Sequence, residues 1–537
     1  MKSSKIFAGF FAGFILFAVS TTSTYAQDVE QNMYKFGRLL RLIDTQYVDT
    51  VNIPSLTEKA IVGMLRQMDP HSVYISRDEV AEMNEPLEGS FYGIGISFNI
   101  FRDTLMVLTT IPGGPSEKVG LRPGDRILYA DGELIAGKGI TNKDVYKYLK
   151  GPKGTIVKLQ IKRKGVTELL DFTIVRDKIP INSLDASYML DDDTGYLKLN
   201  RFSATTTEEF MDAVKDLKKN SDFKNLILDL RGNGGGYLTA AYELADQFLD
   251  GHKLIVYTEG LKSPRKDYES SVKGDLEQGR LVVLIDEGSA SASEILSGAI
   301  QDWDRGLIVG RRSYGKGLVQ QQYYLTDGSM VRLTTAHYYT PSGRCIQRPY
   351  DDGVDEYRKD PMRRFEDGEL FFEDSIHLDK SLIYKTKLNN RIVYGGGGIM
   401  PDIFVPMDTS KYYQYYNELL RKNLIYDKVL SIMDKSRDKF KKKYPTFEKY
   451  NAEYEVDDAV INDIVAKGEA EGVKKDEESI EFIRPQMKQQ IKALFARDLF
   501  SVNCYYQIMN ADDETIKKGM EVIHNSLIYN KLLAENK

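Results

Sequence analysis

Residues 281–297 read LVVLIDEGSASASEILS. Five apolar residues, Leu281–Ile285, run into small and polar ones, and the segment that follows, EILSGAIQDW, spaces its apolar residues for one buried face of a helix. Glu294 stands three residues after Ser291, the S-x-x-E spacing of a capping box. The stretch therefore reads as a buried strand, a tight turn and a helix. It leaves one question open: whether Ser289, Ser291 or Ser293 is a nucleophile, or whether the serines only cap the helix. S-x-x-E before an apolar run is common, so on this stretch alone the cap is the stronger reading.

Outward from this stretch, residues 179–408 alternate strand and helix patterns. TGYLKLNRF leads to TEEFMDAVKDLKKN and then to the apolar strand NLILDLRGN, while LIVG and GSMVRLTTAHYYT supply strands beyond the serines. Such alternation predicts a layered α/β core. Charged, irregular residues 351–389 look like an excursion from it, and GGGGIMPDIFV (Gly395–Val405) returns a strand. Between Gly89 and Lys178, short β-type runs separated by Gly and Pro turns predict a small β-rich insert. Residues 27–88 and 409–537 carry helical periodicity, with Pro54 and Pro70 read as breaks.

A chain of 537 residues exceeds one ordinary core, which agrees with this division into several domains. With 42% apolar and 28% charged residues and a net charge of −6, its bulk is that of a globular protein with no basic surface for nucleic acid. Lys2 and Lys5 precede the apolar IFAGFFAGFILFAV, and small residues lead to TYAQ, the layout of a secretory signal peptide over residues 1–26 with a cut after Ala26. The apolar segment is short for a membrane span, so an uncleaved anchor is the weaker alternative. The expected location is extracytoplasmic, in the periplasm. Cys345 and Cys504 are far apart and nothing in the sequence requires them to pair; no Cys/His cluster suggests a metal.

GRRSYGK (Gly310–Lys316) imitates a phosphate-binding loop. The pattern then demands Ser or Thr and a helix, whereas Gly317 and the strand-like LVQQQYYL follow, so nucleotide binding is not expected. The glycines flanking Lys316 instead suit a lysine brought into a crowded pocket, where desolvation favours the neutral amine. A neutral lysine can take a proton from a serine, and Gln320 is placed to hold the amine with its amide oxygen. LDLRGNGGG (Leu228–Gly236) puts a glycine run after a buried strand, a source of free N–H groups for an oxyanion. Tyr92, Gly93, Ile94, Gly95 and Ile96 open the β-rich insert and could form a nest for a peptide's terminal carboxylate, with the next strand edge accepting the peptide. The DDDTG turn (Asp191–Gly195) reads as a hairpin, not a calcium loop.

Taken together, DPHSVY (Asp69–Tyr74), GIGI, GPSEKVGLRPGDRIL (Gly114–Leu128), LDLRGNGGG, EGSASASEILSGAIQD, VGRRSYGKGLVQ and GGIMPDI resemble, in this order, the carboxyl-terminal processing peptidases, or tail-specific proteases, over about residues 34–405. The resemblance implies a multidomain α/β protein: a crotonase/ClpP-like layered α/β peptidase core with an inserted PDZ domain at 89–178, a helical N-terminal region and a helical C-terminal extension. It makes Ser291 the nucleophile, Lys316 the general base and Gln320 the residue that positions it. It assigns the oxyanion hole to the N–H of Ala292 and of one glycine among Gly234, Gly235 and Gly236, with Gly235 preferred, and gives Asp302 a structural role near the site.

The function so implied is that of a secreted serine endopeptidase that recognises exposed, mostly apolar C-terminal tails of envelope proteins through the PDZ domain and needs no cofactor or metal. A non-catalytic PDZ scaffold is the alternative. The extension past Val405 is free to dimerise the chain, shape a cage or bind an adaptor, and the sequence does not choose among these.

Overall fold

A computed structural model of the chain describes residues 28–271, 274–407 and 413–534. The expected signal peptide lies outside them. The N-terminal part consists of helix α1 (28–46), helix α2 (Ile53–Leu65), strand β1 (Val73–Ile75), helix α3 (Val80–Glu88) and strand β2 (Ser90–Gly93). Pro54 starts α2 instead of breaking a helix, because a first-turn residue needs no N–H partner, and the Asn52 side chain accepts the N–H of Ser55.

The β-rich insert holds β3 (Ile96–Ile100), β4 (Leu105–Thr110), a single turn α4 (Pro115–Lys118), β5 (Arg126–Ala130), β6 (Glu133–Leu134), helix α5 (Asn142–Leu149), β7 (Ile156–Lys162) and β8 (Leu170–Val175). Its strands form an antiparallel sheet in the order β3-β4-β5-β7-β8. Val157, Leu159 and Ile161 of β7 alternate into a core with Val107, Ile127 and Val145. Strand β9 (Asp177–Pro180) pairs antiparallel with β2, so both ends of the insert leave the main body through one two-stranded ribbon.

The main body begins with β10 (Leu184–Met189) and β11 (Thr194–Leu199), the hairpin around DDDTG. It continues through α6 (Thr206–Asn220), β12 (Asn225–Asp229), α7 (Leu238–Asp246), β13 (Leu254–Gly260), β14 (Ser263–Glu269), β15 (Leu281–Ile285), α8 (Ala292–Asp302), β16 (Leu307–Gly310), β17 (Leu318–Tyr324) and β18 (Met330–Tyr339). The 351–389 excursion contains α9 (Val354–Glu366) and β19 (Ile383–Lys385), after which come β20 (Ile392–Tyr394) and β21 (Ile403–Phe404). One sheet runs β10-β11-β12-β15-β16-β21, parallel from β11 onward. Every residue of β12 and β15 is buried, as a parallel sheet covered on both faces requires. Leu228, Val283 and Ile308 face α6, α7 and α8, while Ile227, Val282 and Leu307 face the opposite layer. A second sheet, β1-β18-β13-β14 with β17 on the free side of β18, takes its first strand from the N-terminal part.

Beyond the sheets come helices α10 (Tyr413–Arg421), α11 (Leu424–Lys443), α12 (Phe447–Glu453), α13 (Asp458–Ala470), α14 (Glu477–Leu499) and α15 (Val502–Asn510), packed around Leu419, Val429, Ile464, Met487 and Phe495. Helix α11 also touches the β-rich insert. Leu430 packs with Phe101, Met106 and Leu108, and Arg126 pairs with Asp434 at 2.9 Å. The last two helices, α16 (Glu514–His524) and α17 (Ser526–Ala534), depart from the expected picture of a single extension over 409–537. They return to the main body, where Ile516, Val522, Ile523 and Tyr529 cover the second face of the six-stranded sheet. Gly519 permits this approach, since a Cβ there would stand 3.2 Å from Ile227 Cδ1. Both cysteines are free, and among the described residues no helix is long and apolar enough to cross a membrane.

Because Ile523 is fully buried under the sheet, Ile523→Ala is expected to destabilise the main body by about 2–5 kcal/mol. Thermal unfolding followed together with activity checks this. An unchanged midpoint would make the final helices an independent tail.

Candidate active site

The three serines differ in environment. Ser289 Oγ donates to Leu230 O at 2.9 Å, Ser293 Oγ donates to Asn233 O at 2.8 Å, and both residues are fully buried. These two tie the turn after β15 to the turn after β12. Ser291, half-buried, instead lines a cleft of about 340 Å³ together with Lys316, Gln320, Gly235, Arg332 and Tyr338. Its backbone has φ 56° and ψ −114°, a conformation that costs a non-glycine residue on the order of 1–3 kcal/mol and that the surroundings must enforce.

Glu294 supplies much of that enforcement. It is fully buried, and its carboxylate accepts four hydrogen bonds: from Ser291 N (2.7 Å), Lys316 N (2.9 Å), Gly315 N (2.7 Å) and Ser313 Oγ (2.6 Å). One side chain thus holds the serine turn and the lysine loop in register. From the other side, the hydroxyl of the buried Tyr338 contacts the carbonyl oxygens of Ser291 (3.1 Å) and Lys316. Burial raises the pKa of Glu294 to about 7, although all four hydrogen bonds act to lower it. The sequence shows Glu294 as a capping-box residue, but a cap serving only its own helix and a carboxylate bridging two loops share the same local pattern.

The two glycines beside Lys316 are explained by close approach. A Cβ at Gly317 would lie 2.8 Å from Gln347 N, and one at Gly315, where φ is +84°, would lie 3.2 Å from the backbone of Gly397 and Gly398. The chain can therefore press the lysine into the cleft. Lys316 Nζ donates to Gln320 Oε1 at 3.0 Å, and Gln320 Nε2 donates to the carbonyl oxygen of His71. Burial is the main cause that lowers the Lys316 pKa, and the neighbouring Arg332 charge adds to it; Glu294 and Asp69 oppose. The His71 pKa falls to about 4, through burial first and then the charge of Lys316. Asp69 fixes this N-terminal segment by accepting from His71 N and Ser72 N, both at 2.8 Å, and from Thr334 Oγ1 at 3.0 Å. The sequence reading grouped DPHSVY with the N-terminal helices and missed that it abuts Gln320 and Lys316; only its place within the motif set pointed to importance.

The N–H groups of the glycine run differ in their partners. Gly235 abuts the serine turn, since a Cβ there would be 2.8 Å from Ser291 Cβ and 2.9 Å from Ala292 N, but its own N–H donates to Asn233 Oδ1 at 2.9 Å. That leaves Gly234 and Gly236 as the glycine N–H groups without a hydrogen-bond acceptor among the described residues, alongside Ala292 at the first position of α8. Asp302, fully buried, pairs with Arg344 at 2.8 Å and accepts from Ser342 N, anchoring the chain beyond β18.

At the insert, Tyr92 and Gly93 lie in the β2–β9 ribbon opposite Lys178 and Asp177, outside the turn expected to bind a carboxylate. Ile94 and Gly95 form that turn and Ile96 opens β3. The carbonyls of Ile94 and Gly95 accept from Ser116 and Ile111. No helix follows GRRSYGK, which runs into β17. Among the described residues one group has metal-ligand types in proximity, Asp191, Asp193 and His524, where His524 Nε2 and Asp191 Oδ2 lie 2.6 Å apart. It belongs to the contact between the β10–β11 turn and α16.

An ionised Glu294 accepts all four donors, and protonation below about pH 7 removes one acceptor site. The neutral form of Lys316, which burial favours, is also lost as pH falls. The kcat/KM profile is therefore expected to show a fall near pH 7 in the wild type that is absent in Glu294→Gln, which should also lose about ten- to a hundredfold in rate while staying folded. Equal profiles and rates would leave Glu294 without a role in activity.

Comparison with known proteins finds four family profiles that match separate stretches of the chain. The peptidase family S41 profile matches residues 193–356, a PDZ domain matches 106–163, the N-terminal domain of the activating protease CtpB matches 17–79, and a family of unknown function, DUF8443, matches 415–501. Among solved structures, a photosystem II D1 C-terminal processing protease aligns with 58% of this chain and 89% of its own at 30% identity, with a TM-score of 0.33. The chain is 34% identical over 334 residues to the carboxy-terminal processing protease CtpB of Bacillus subtilis, an alignment covering 62% of this chain and 69% of that protein. It is 38% identical over 340 residues to a carboxy-terminal-processing protease of Bartonella bacilliformis, covering 63% and 77%. With that extent of shared sequence, and with the peptidase and PDZ profiles in place, the chain belongs to the carboxy-terminal processing proteases of peptidase family S41.

Proposed function

We propose that this protease is exported, cut after Ala26, and cleaves envelope proteins with a Ser291–Lys316 dyad. The observation that carries the reading is a desolvated lysine, held by Gln320, in the same cleft as a serine kept in a strained conformation. Neutral Lys316 takes the proton of Ser291 Oγ as that oxygen attacks the scissile carbonyl. The N–H of Ala292 and one from Gly234 or Gly236 stabilise the oxyanion, aided by the positive end of α8. Lys316 then protonates the leaving amine, and the acyl-enzyme is released when a water gives its proton to the same lysine.

The PDZ domain supplies substrate choice, taking an exposed apolar C-terminus at the Ile94–Ile96 turn and passing the chain to the cleft. Because that domain joins the body through the β2–β9 ribbon and rests on α11, tail binding can alter its position relative to the cleft. The helical regions at either end remain the surfaces for a second copy or an adaptor.

Cleavage of an unfolded reporter with an apolar tail tests the reading. Ser291→Ala and Lys316→Ala should both stay folded and lose cleavage, and the mature protein should begin at Gln27. A Ser291→Ala variant that still cuts, losing only the ~1 kcal/mol of a helix cap, would place the nucleophile elsewhere.

A further inference from the structure

Arg332 stands directly across from Gln322 of β17, and Thr334 directly across from Gln320. Directly opposed residues, and residues two apart, project from the same face of a sheet. Gln320, Gln322 and Arg332 consequently share the face that bounds the catalytic cleft, and all three line it with Ser291 and Lys316.

Five other arginines packed around the core meet carboxylates: Arg312 and Arg364 pair with Glu369, Arg344 with Asp302, Arg348 with Asp360 and Arg391 with Asp304; Arg305 instead donates to four backbone carbonyls. Arg332 has no such partner among the described residues. Its Nη2 is withdrawn from solvent and makes no hydrogen bond. The group that favours its charge is the Tyr237 hydroxyl, and burial weakens its hold on a proton. A half-buried guanidinium with one nitrogen unsatisfied and no carboxylate partner is unfavourable in the free protein and also disfavours protonation of Lys316. Its planar fork of donors matches a carboxylate.

The geometry points to Arg332 as a specificity residue that binds a carboxylate of the substrate chain beside the scissile bond. This rests on the peptidase reading and adds to it a preference for negative charge in the cleft, separate from the apolar tail held by the PDZ domain. The carboxylate is either an Asp or Glu side chain near the cut or the free C-terminus of a short product-side segment.

The test uses a short peptide ending in an apolar tail, with a single Glu or the isosteric Gln scanned through the positions flanking the cut, each with a free or an amidated C-terminus. With the wild type, at least one position should favour the carboxylate about ten- to a hundredfold in kcat/KM. That ratio should collapse towards one in Arg332→Gln, whatever its absolute rate, and return in part in Arg332→Lys. Preference at an internal Glu identifies a side-chain carboxylate, and preference lost only on amidation identifies the terminus. Cleavage without any charge preference, or a ratio that survives in Arg332→Gln, overturns the assignment while leaving the dyad intact. Binding of the same peptides to Ser291→Ala reads the ratio without turnover, so loss of cleavage in all proteins with the binding ratio retained would count against the dyad alone. Should Arg332→Gln fail to fold, Arg332→Lys and the wild-type Glu/Gln ratio still decide.

Discussion

The Glu294 carboxylate holds the site together. It is fully buried, and its four hydrogen bonds reach the N–H of Ser291 and three groups of the lysine loop. A buried carboxylate left unsatisfied would be strongly unfavourable, so the two loops must present their donors together or not at all. The unusual backbone of Ser291, the tight packing of Gly315 and Gly317, and the contacts of Tyr338 with the two carbonyls all conform to that demand. Ser291 and Lys316 are thus positioned by backbone geometry, with the lysine amine held by Gln320.

Distant parts of the chain complete this centre. The Asp69–Tyr74 segment holds Gln320 through the His71 carbonyl and joins β18 as a strand, so the N-terminal region is part of the catalytic sheet. From the other end, Asp513, which caps α16, forms a two-bonded ion pair with Arg231 at 2.8 and 3.0 Å, and Arg231 also grips the buried Asp229 at the end of β12. Burial alone would raise the Asp229 pKa, but Arg231 and Lys198 outweigh it and hold the carboxyl well below the usual range. The turn bearing the glycine run is thereby fastened to the C-terminal helices.

Much of this was legible in the sequence because strand burial and turn chemistry are local. NLILD and LVVLI mark the central strands, the glycines around Lys316 mark a close approach, and the alternation in IVKLQIK marks an insert with one face inward. What escaped depends on partners distant in sequence. Amphipathic periodicity shows that α16 has a buried face but not that the face covers β12, β15 and β16. S-x-x-E shows a cap but not its reach into the lysine loop. Nor does a run of glycines show that the side chain of Asn233, only two residues from Gly235, takes that residue's N–H. The charged 351–389 excursion concealed α9, whose burial of Arg364 against Glu369 no periodicity reveals.

The most direct test of the account is the pH dependence of covalent labelling by a fluorophosphonate, with the adduct located by mass spectrometry. The account predicts an adduct on Ser291 whose rate rises with pH through a midpoint below 10.5, the ordinary value for lysine, because burial and Arg332 favour the neutral amine of Lys316. An adduct on another residue, or a midpoint at the ordinary lysine value, would contradict it.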